Sequence, residues 1–478
     1  MDTAHRLPAG LCRHGCAESS AEARVGASHG APWPLALAGA HAAAAAAMLV
    51  LRPRDGSIEP DPVDVGAYFS DDDIARARRY GRPQLALQLA AALTQVGVLA
   101  GLALRGRRDP RAPAARPDRQ ELVEAAIAGV RLSLAVGLAP LPLRALARRR
   151  ALAVGLATQT WRGWARDLAR SGALGIVVDA LAAPAAVALM RRRPADWWLP
   201  ASGIAVVGAG ALAVLAPVTL DRLGHRFRPL PAGPIRDDVL ELAARAGVDI
   251  GEVYEVDASS RTAAANAYVS GLGPTKRVVL FDTLLRDFTR EEIRLVVAHE
   301  LAHVRHRDVP RGLAHLALSA PAAMYAAAQL TLRLQRRLGE RSASANRVLP
   351  AAANTGEISL PASAANAGEI SLPASAAVLP ALVLSLGAVS AVVGGFAAAL
   401  SRQVERRADA FALTLADAPA PFVSVERRLV RHNLADPNPP RWLVTLLGTH
   451  PPAVQRIGIA IAYQRGARPG ARSRLVAR

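Results

Sequence analysis

The sequence predicts a mainly α fold, a multi-pass membrane helix bundle of about seven spans that carries a small α+β domain. Three observations predict it. The 478 residues are 51% apolar and 20% charged with a mean hydropathy of +0.19, too apolar and too long for one average soluble domain. Aromatic residues reach only 4% while Ala, Leu and Val run in long stretches, a composition that favours helices over an aromatic-rich sheet. Runs without Asp, Glu, Lys or Arg recur at the roughly 20-residue length that a helix needs to cross about 30 Å of hydrocarbon.

Residues 1–33 read as a polar N-terminal tail. No cleavable signal peptide is evident, because the first apolar run is long enough to stay as a span. The tail holds the only two cysteines, Cys12 and Cys16, so no disulfide framework supports the fold. Uncharged runs follow at 34–51, 84–104, 198–220, 313–332 and 378–400. Two more runs tolerate charge: 122–143 holds Glu124 and Arg131, and 173–190 holds Asp179. Unpaired charge is costly within a span, so Arg131 and Asp179 are expected to face each other or a watery interior, with a structural ion pair as the alternative. Spans one to five thus occupy 34–220, span six 313–332 and span seven 378–400.

The net charge of +19 comes from 58 basic residues, all Arg except Lys276, against 39 acidic ones. In a chain with membrane-length apolar runs, such an excess points to loops facing the cytoplasm and away from nucleic acid as a partner. Forty basic residues fall on the side opposite the N-terminus and 17 on its own side, which places the C-terminus in the cytoplasm. Arg148, Arg149 and Arg150 support that orientation, while the short loop holding Arg191, Arg192 and Arg193 argues the other way.

Between spans five and six, residues 221–312 have a mixed pattern that reads as a small soluble domain, completed by residues 401–478. Asp237 to Ala246 has helical spacing, Glu252 to Val256 alternates as a strand, and Asn266 to Gly271 with Arg277 to Phe281 reads as two strands joined through Gly273-Pro274. Thr289-Arg290-Glu291-Glu292 has the form of a capping box, opening a helix from about 290 to 308 that Pro310 would end. Residues 354–365 recur at 366–377 with one change, Ala367 for Thr355, and lie in a flexible loop over 333–377.

The capped helix contains His299-Glu300-Leu301-Ala302-His303, an HExxH motif flanked by apolar residues. Histidines four apart project from one helical face and can converge on one zinc ion, with Glu300 left beside the open coordination position. A third ligand is still needed, and Glu405 just past span seven is the candidate. Asp409, one turn further on the same face, can orient a ligand histidine through its second ring nitrogen. The alternative for that segment is an exposed, salt-bridged helix, since Arg402, Arg406 and Arg407 lie among these acids.

Four blocks together resemble a family, the membrane-integral zinc metallopeptidases that include the type 1 CAAX prenyl proteases and the shorter HtpX heat-shock proteases. They are Asn266-Ala267-Tyr268 leading to Val278 through Leu285, the HExxH of His299 to His303, Glu405 with Asp409, and Thr449-His450-Pro451-Pro452 leading to Arg456-Ile457. The resemblance runs from about residue 235 to 463. It implies that the strand beginning at Asn266 is a substrate edge, with a plain hairpin as the alternative. It further implies that His450 stands near the developing oxyanion and that Arg456 braces the site. The twelve-residue duplication departs from that family.

The expected function is an integral membrane zinc metalloendopeptidase acting on membrane-associated or unfolded protein substrates. Zn2+ would be held by His299, His303 and Glu405, and Glu300 would act as general base from the cytoplasmic side of the cell membrane. Partners are a peptide or protein substrate and membrane lipid. The alternatives are a non-catalytic membrane scaffold or chaperone with a structural zinc site, for which a free Glu300 has no use, and a transporter, for which no inverted repeat is visible.

Overall fold

The computed structural model describes residues 32–105, 118–215, 226–271, 276–348 and 375–469. Cys12, Cys16, the turn at Gly273-Pro274 and all of the duplication before Ser375 lie outside the described residues. Six helices come first: α1 (Trp33–Leu51), α2 (Asp71–Arg105), α3 (Arg119–Leu138), α4 (Leu141–Ala153), α5 (Trp161–Arg192) and α6 (Trp198–Leu215). Local chemistry starts several of them. The Asp118 carboxylate accepts from the Glu121 N–H at 2.8 Å to cap α3, and the Thr160 hydroxyl accepts from the Gly163 N–H at 3.1 Å to cap α5. Asp71, Asp72 and Asp73 occupy the first turn of α2, where the helix dipole favours negative charge.

Among the described residues, five helices are long and apolar enough to cross a membrane: Trp33–Leu51, Asp71–Arg105, Arg119–Ala153, Trp161–Arg192 and Ala376–Ala416. The described part of the expected run at 198–220, residues 198–215, and the expected run at 313–332 also fall on helices. The first is the shorter apolar α6, and the second lies within a 41-residue helix, Asp308–Val348.

A small sheet follows α6. Strands β1 (Phe227–Pro229), β2 (Glu252–Val256), β3 (Ala267–Ser270) and β4 (Arg277–Phe281) lie in the order β1-β2-β4-β3. The β2 to β4 pair is parallel, in register Val253 to Val278, and the other pairs are antiparallel. β3 is therefore an edge strand. Helix α7 (Pro234–Ala246), with a left-handed Gly247 at φ 64° closing it, sits between β1 and β2 in the chain. After β4 come α8 (Asp282–Asp287), α9 (Arg290–Arg305), α10 (Asp308–Val348), α11 (Leu379–Ala416), α12 (Pro419–Asn433), α13 (Arg441–Leu447) and α14 (Ala453–Gln464).

Two cores position the site. Val239 and Leu242 of α7, Val253, Val278 and Leu280 of the sheet, and Ile293, Val297 and Leu301 of α9 form the first. Leu295 of α9, Leu413 of α11, Phe422 of α12 and Ile459 of α14 close over Ile58 in the second. Burial of these side chains, worth about 1.5–3 kcal/mol each, clamps α9 against α11.

Two expectations are corrected. Pro310 does not end the HExxH helix: α9 stops at Arg305, Arg307 turns the chain at φ 55°, and Pro310 sits in the first turn of α10. A proline is tolerated there because its missing N–H has no intrahelical partner. Of the two expectations for Arg131 and Asp179, the pairing is not met: they form no ion pair, and both are exposed. Helices α3 and α5 meet through Gly129, close against the Asp179 carbonyl and the Ala183 methyl, and a residue two positions on from Gly129 points around the helix. Asp179 instead lines a cavity of about 440 Å³ between α3, α5 and α11.

Candidate metal centre

The capping box forms as its sequence requires. The Thr289 N–H donates to the Glu292 carboxylate at 2.8 Å, and the Glu292 N–H donates to the Thr289 hydroxyl at 3.3 Å. The Ser424 hydroxyl donates to the same carboxylate at 2.7 Å, tying α12 to the start of α9. Buried Val297, Ala298, Leu301 and Ala302 fix the roll of α9, so His299 and His303 emerge one turn apart on the face toward α11.

α11 delivers Glu405 to that face. His299 Nε2 lies 3.1 Å from Glu405 Oε2 and 3.2 Å from His303 Nε2, and His303 Nε2 lies 3.6 Å from Glu405 Oε1. Four tetrahedral ligands about 2.05 Å from a zinc ion stand about 3.3 Å apart, so these separations match a metal's coordination shell. The other ring nitrogens support the same reading. His299 Nδ1 lies 2.9 Å from Asp409 Oδ1, and His303 Nδ1 lies 3.0 Å from Asp308 Oδ2. An ionised carboxylate only accepts, so each Nδ1–H donates and each neutral imidazole turns a lone pair at Nε2 toward its neighbour and toward Glu405. Three electron donors facing one another within 4.8 Å need a cation between them. The residues present fit a metal ion.

Without a metal, a proton takes that place. Burial opposes a charged His299, but hydrogen bonds to Asp409 and Glu405 overcome it and raise the imidazolium pKa to about 10. Burial pushes the Glu300 carboxyl above its ordinary range. Among the described residues, no hydrogen bond or ion pair claims that carboxylate.

A cavity of about 130 Å³ opens beside the metal position, lined by Asn266, Glu300, Glu426, His450 and Arg456 among others. Asn266 is exposed immediately before β3, and its side-chain oxygen accepts from the Ala267 N–H at 2.9 Å. His450 stands at the mouth with its side chain 62% exposed and Nε2 3.5 Å from Glu405 Oε1. Arg456 is clamped behind the ligands. Its Nε donates to Asp409 Oδ2 at 2.9 Å, its Nη1 meets Glu426 Oε1 at 2.8 Å, and its Nη2 lies 3.5 Å from His299 Nδ1. Although burial opposes it, the Asp409 and Glu426 carboxylates raise the guanidinium's pKa.

The structure therefore brings all eight residues singled out in the sequence to one place. It adds three that the sequence reading missed: Asp308, Arg407 and Glu426. Asp308 meets the guanidinium groups of Arg311 and Arg407 as well as His303. Glu426 is buried, and that burial, with Asp409 and Glu405 nearby, pushes its carboxyl up to about 7 against the pull of Arg456. The only sequence signal for Asp308 is its place five residues after the second histidine, and for Glu426 there is none.

A helix carrying HExxH that meets a distant glutamate, inside a bundle of membrane-length helices, defines a membrane metallopeptidase. Comparison with known proteins agrees. The profile of peptidase family M48 matches residues 229–461. A Bacillus subtilis (strain 168) protein described as an uncharacterized metalloprotease, YhfN, is 30% identical over 329 residues, covering 68% of this chain and 70% of that one. A CAAX prenyl protease 1 homolog of Oryza sativa subsp. japonica is 28% identical over 250 residues, 52% of this chain and 51% of that one. The crystal structure of S. mikatae Ste24p superposes with a TM-score of 0.61 at 20% identity, covering 90% of this chain and 99% of that one, so the fold is shared. The chain belongs to peptidase family M48. It is a multi-pass membrane metallopeptidase, a hydrolase whose substrate is a peptide or protein.

Proposed function

We propose that this peptidase uses zinc held by His299, His303 and Glu405 to cleave membrane-associated or unfolded protein chains on the cytoplasmic side of the cell membrane. The observation that carries the reading is the convergence of two Nε2 lone pairs and a carboxylate, each imidazole being oriented by its own aspartate. Bound there, zinc would supply polarisation of the scissile carbonyl and a lowered pKa for the attacking water. Glu300, partly buried and with its carboxyl raised, takes the proton from that water and hands it to the leaving amine. His450 at the cavity mouth donates toward the developing oxyanion, and Arg456 acts through Asp409 to hold His299 in place.

The edge of β3 supports the substrate assignment. β3 pairs on one side only, with β4, and Asn266 at its start lines the cavity that holds Glu300. An extended peptide adding to that edge, main chain to main chain, lays its scissile bond beside the metal. Parity supports the sidedness. The Asp61 N–H donates to the Gly458 carbonyl at 3.1 Å and Arg427 Nε to the Tyr68 carbonyl at 2.8 Å, so the segment between α1 and α2 lies on the side of the metal centre. The larger share of basic residues, 40 against 17, belongs to the loops assigned to that side, although the loop holding Arg191, Arg192 and Arg193 belongs to the other.

Glu300→Gln tests this reading. The variant should keep its zinc, since Glu300 is not a ligand, and lose cleavage of an unfolded protein substrate by about 10²–10⁴-fold or more. Cleavage at the wild-type rate would sink it.

A further inference from the structure

A second cavity, of about 570 Å³, lies where the start of α2, the end of α4 and the end of α12 meet. Its walls carry Arg76 and Arg79 from α2, Arg150 from α4 and Arg431 from α12. Two carboxylates answer these four guanidinium groups. Arg431 Nη2 lies 2.8 Å and Arg76 Nη2 3.4 Å from Asp73, and Arg79 reaches Asp72 only at 3.8 Å, both side chains of that last pair being exposed. Arg150 donates through Nη2 to the Arg79 carbonyl at 3.0 Å, while its buried Nε finds no partner. The cavity thus keeps a positive excess and an unsatisfied donor.

Its other wall is apolar and already fixed. Val154, Leu156 and Ala263 line it, and the Ala263 N–H and the Thr262 hydroxyl both donate to the Leu156 carbonyl at 3.0 Å. Depth in the membrane follows from α2. Its uncharged run begins at residue 84, five residues after Arg79, or about 8 Å along a helix rising 1.5 Å per residue. That is the level of lipid phosphates, with the first acyl carbons just below.

From this geometry we propose that the arginine-lined cavity binds a phosphate group, supplied by an anionic phospholipid of the surrounding leaflet. Bidentate guanidinium groups suit phosphate oxygens, and the apolar wall suits the glycerol and first acyl carbons. The site is separate from the metal chemistry and does not depend on it.

Native mass spectrometry of the full-length protein released from detergent, with phosphatidylglycerol or phosphatidylcholine added, reads the binding. Wild type should retain phosphatidylglycerol in preference to phosphatidylcholine, and Arg79→Gln/Arg150→Gln should weaken that retention about tenfold or more. Arg162→Gln/Arg166→Gln, which removes the same charge from exposed positions on α5, should leave retention unchanged. Unchanged metal content shows that the first variant is folded; if it is not, Arg79→Gln alone, at an exposed side chain, takes its place with a smaller loss. Inorganic phosphate alone is the second arm, read by thermal shift. Protection of wild type but not of the variant by phosphate, with no lipid retained, keeps the site and assigns it to a soluble phosphate. Equal retention of phosphatidylglycerol by wild type and variant, with no phosphate effect, overturns the proposal.

Discussion

Glu300 and Glu405 are carboxylates beside the same two histidines, and their surroundings give them different tasks. Glu405 faces the Nε2 atoms, whereas Glu300, next to His299 on α9, faces the cavity and stays unclaimed. The proton that substitutes for metal gives this arrangement a pH signature. With the His299 pKa raised to about 10 in the metal-free protein, zinc loaded near pH 8 must displace about one proton. Zinc affinity should accordingly rise with pH over that range. Calorimetry in two buffers of different ionisation enthalpy counts the proton, and zinc uptake releasing none would contradict the assignment. The same raised pKa stabilises the metal-free fold below the ordinary value of 6.5, a contribution lost as pH rises toward about 10. His299, His303, Glu405 and Asp409 were legible in the sequence because each pair is set by spacing along one helix. Asp308 was not, because it reaches His303 only through the left-handed turn at Arg307, and a non-glycine residue gives no sequence cue for such a turn. The Glu426 to Arg456 pair joins two helices 30 positions apart, a contact that only tertiary packing decides.

The strands and the capped helix were readable because their signals are local: β2 occupies the residues that alternation indicated, β4 those read as a strand beyond the Gly273-Pro274 turn signal, and the capping box opens α9. Helix ends and helix contacts were not. Pro310 looked like a terminator and proved to be a starter, since the same fixed φ suits either side of a helix boundary. Within the spans, apolar character says that a helix crosses but not which face meets a neighbour. Gly129 shows what was hidden: a Cβ there would collide with the Asp179 carbonyl and stand 2.9 Å from the Ala183 methyl. Small residues let the α3 and α5 backbones approach closely. Gly129→Leu should therefore destabilise the protein by about 1–3 kcal/mol, seen as a lower thermal midpoint in detergent. Gly101→Leu on α2, where nothing lies within 4 Å of a built Cβ, should leave the midpoint unchanged. Equal midpoints for the two variants would contradict the close crossing of α3 and α5.

At the scale of the whole molecule, a single site is built from segments about 100 residues apart in the chain, His299 on α9 and Glu405 on α11. The proposed layout puts them on one side of the membrane by having α10 and the apolar part of α11 leave it and return. A cysteine placed at Ser363, in a background lacking Cys12 and Cys16, should label from outside the cell, and one at the exposed Ser424 from the cytoplasm. Labelling of both from the cytoplasm alone would remove the two crossings without separating the ligands. The joining of distant segments at one metal is the central claim, and the zinc content of the purified protein tests it most directly. Wild type and Glu300→Gln should each hold about one zinc per chain, and Glu405→Ala, left with two protein ligands, should hold far less under the same conditions. A Glu405→Ala protein that retains one zinc per chain as tightly as wild type would contradict the account.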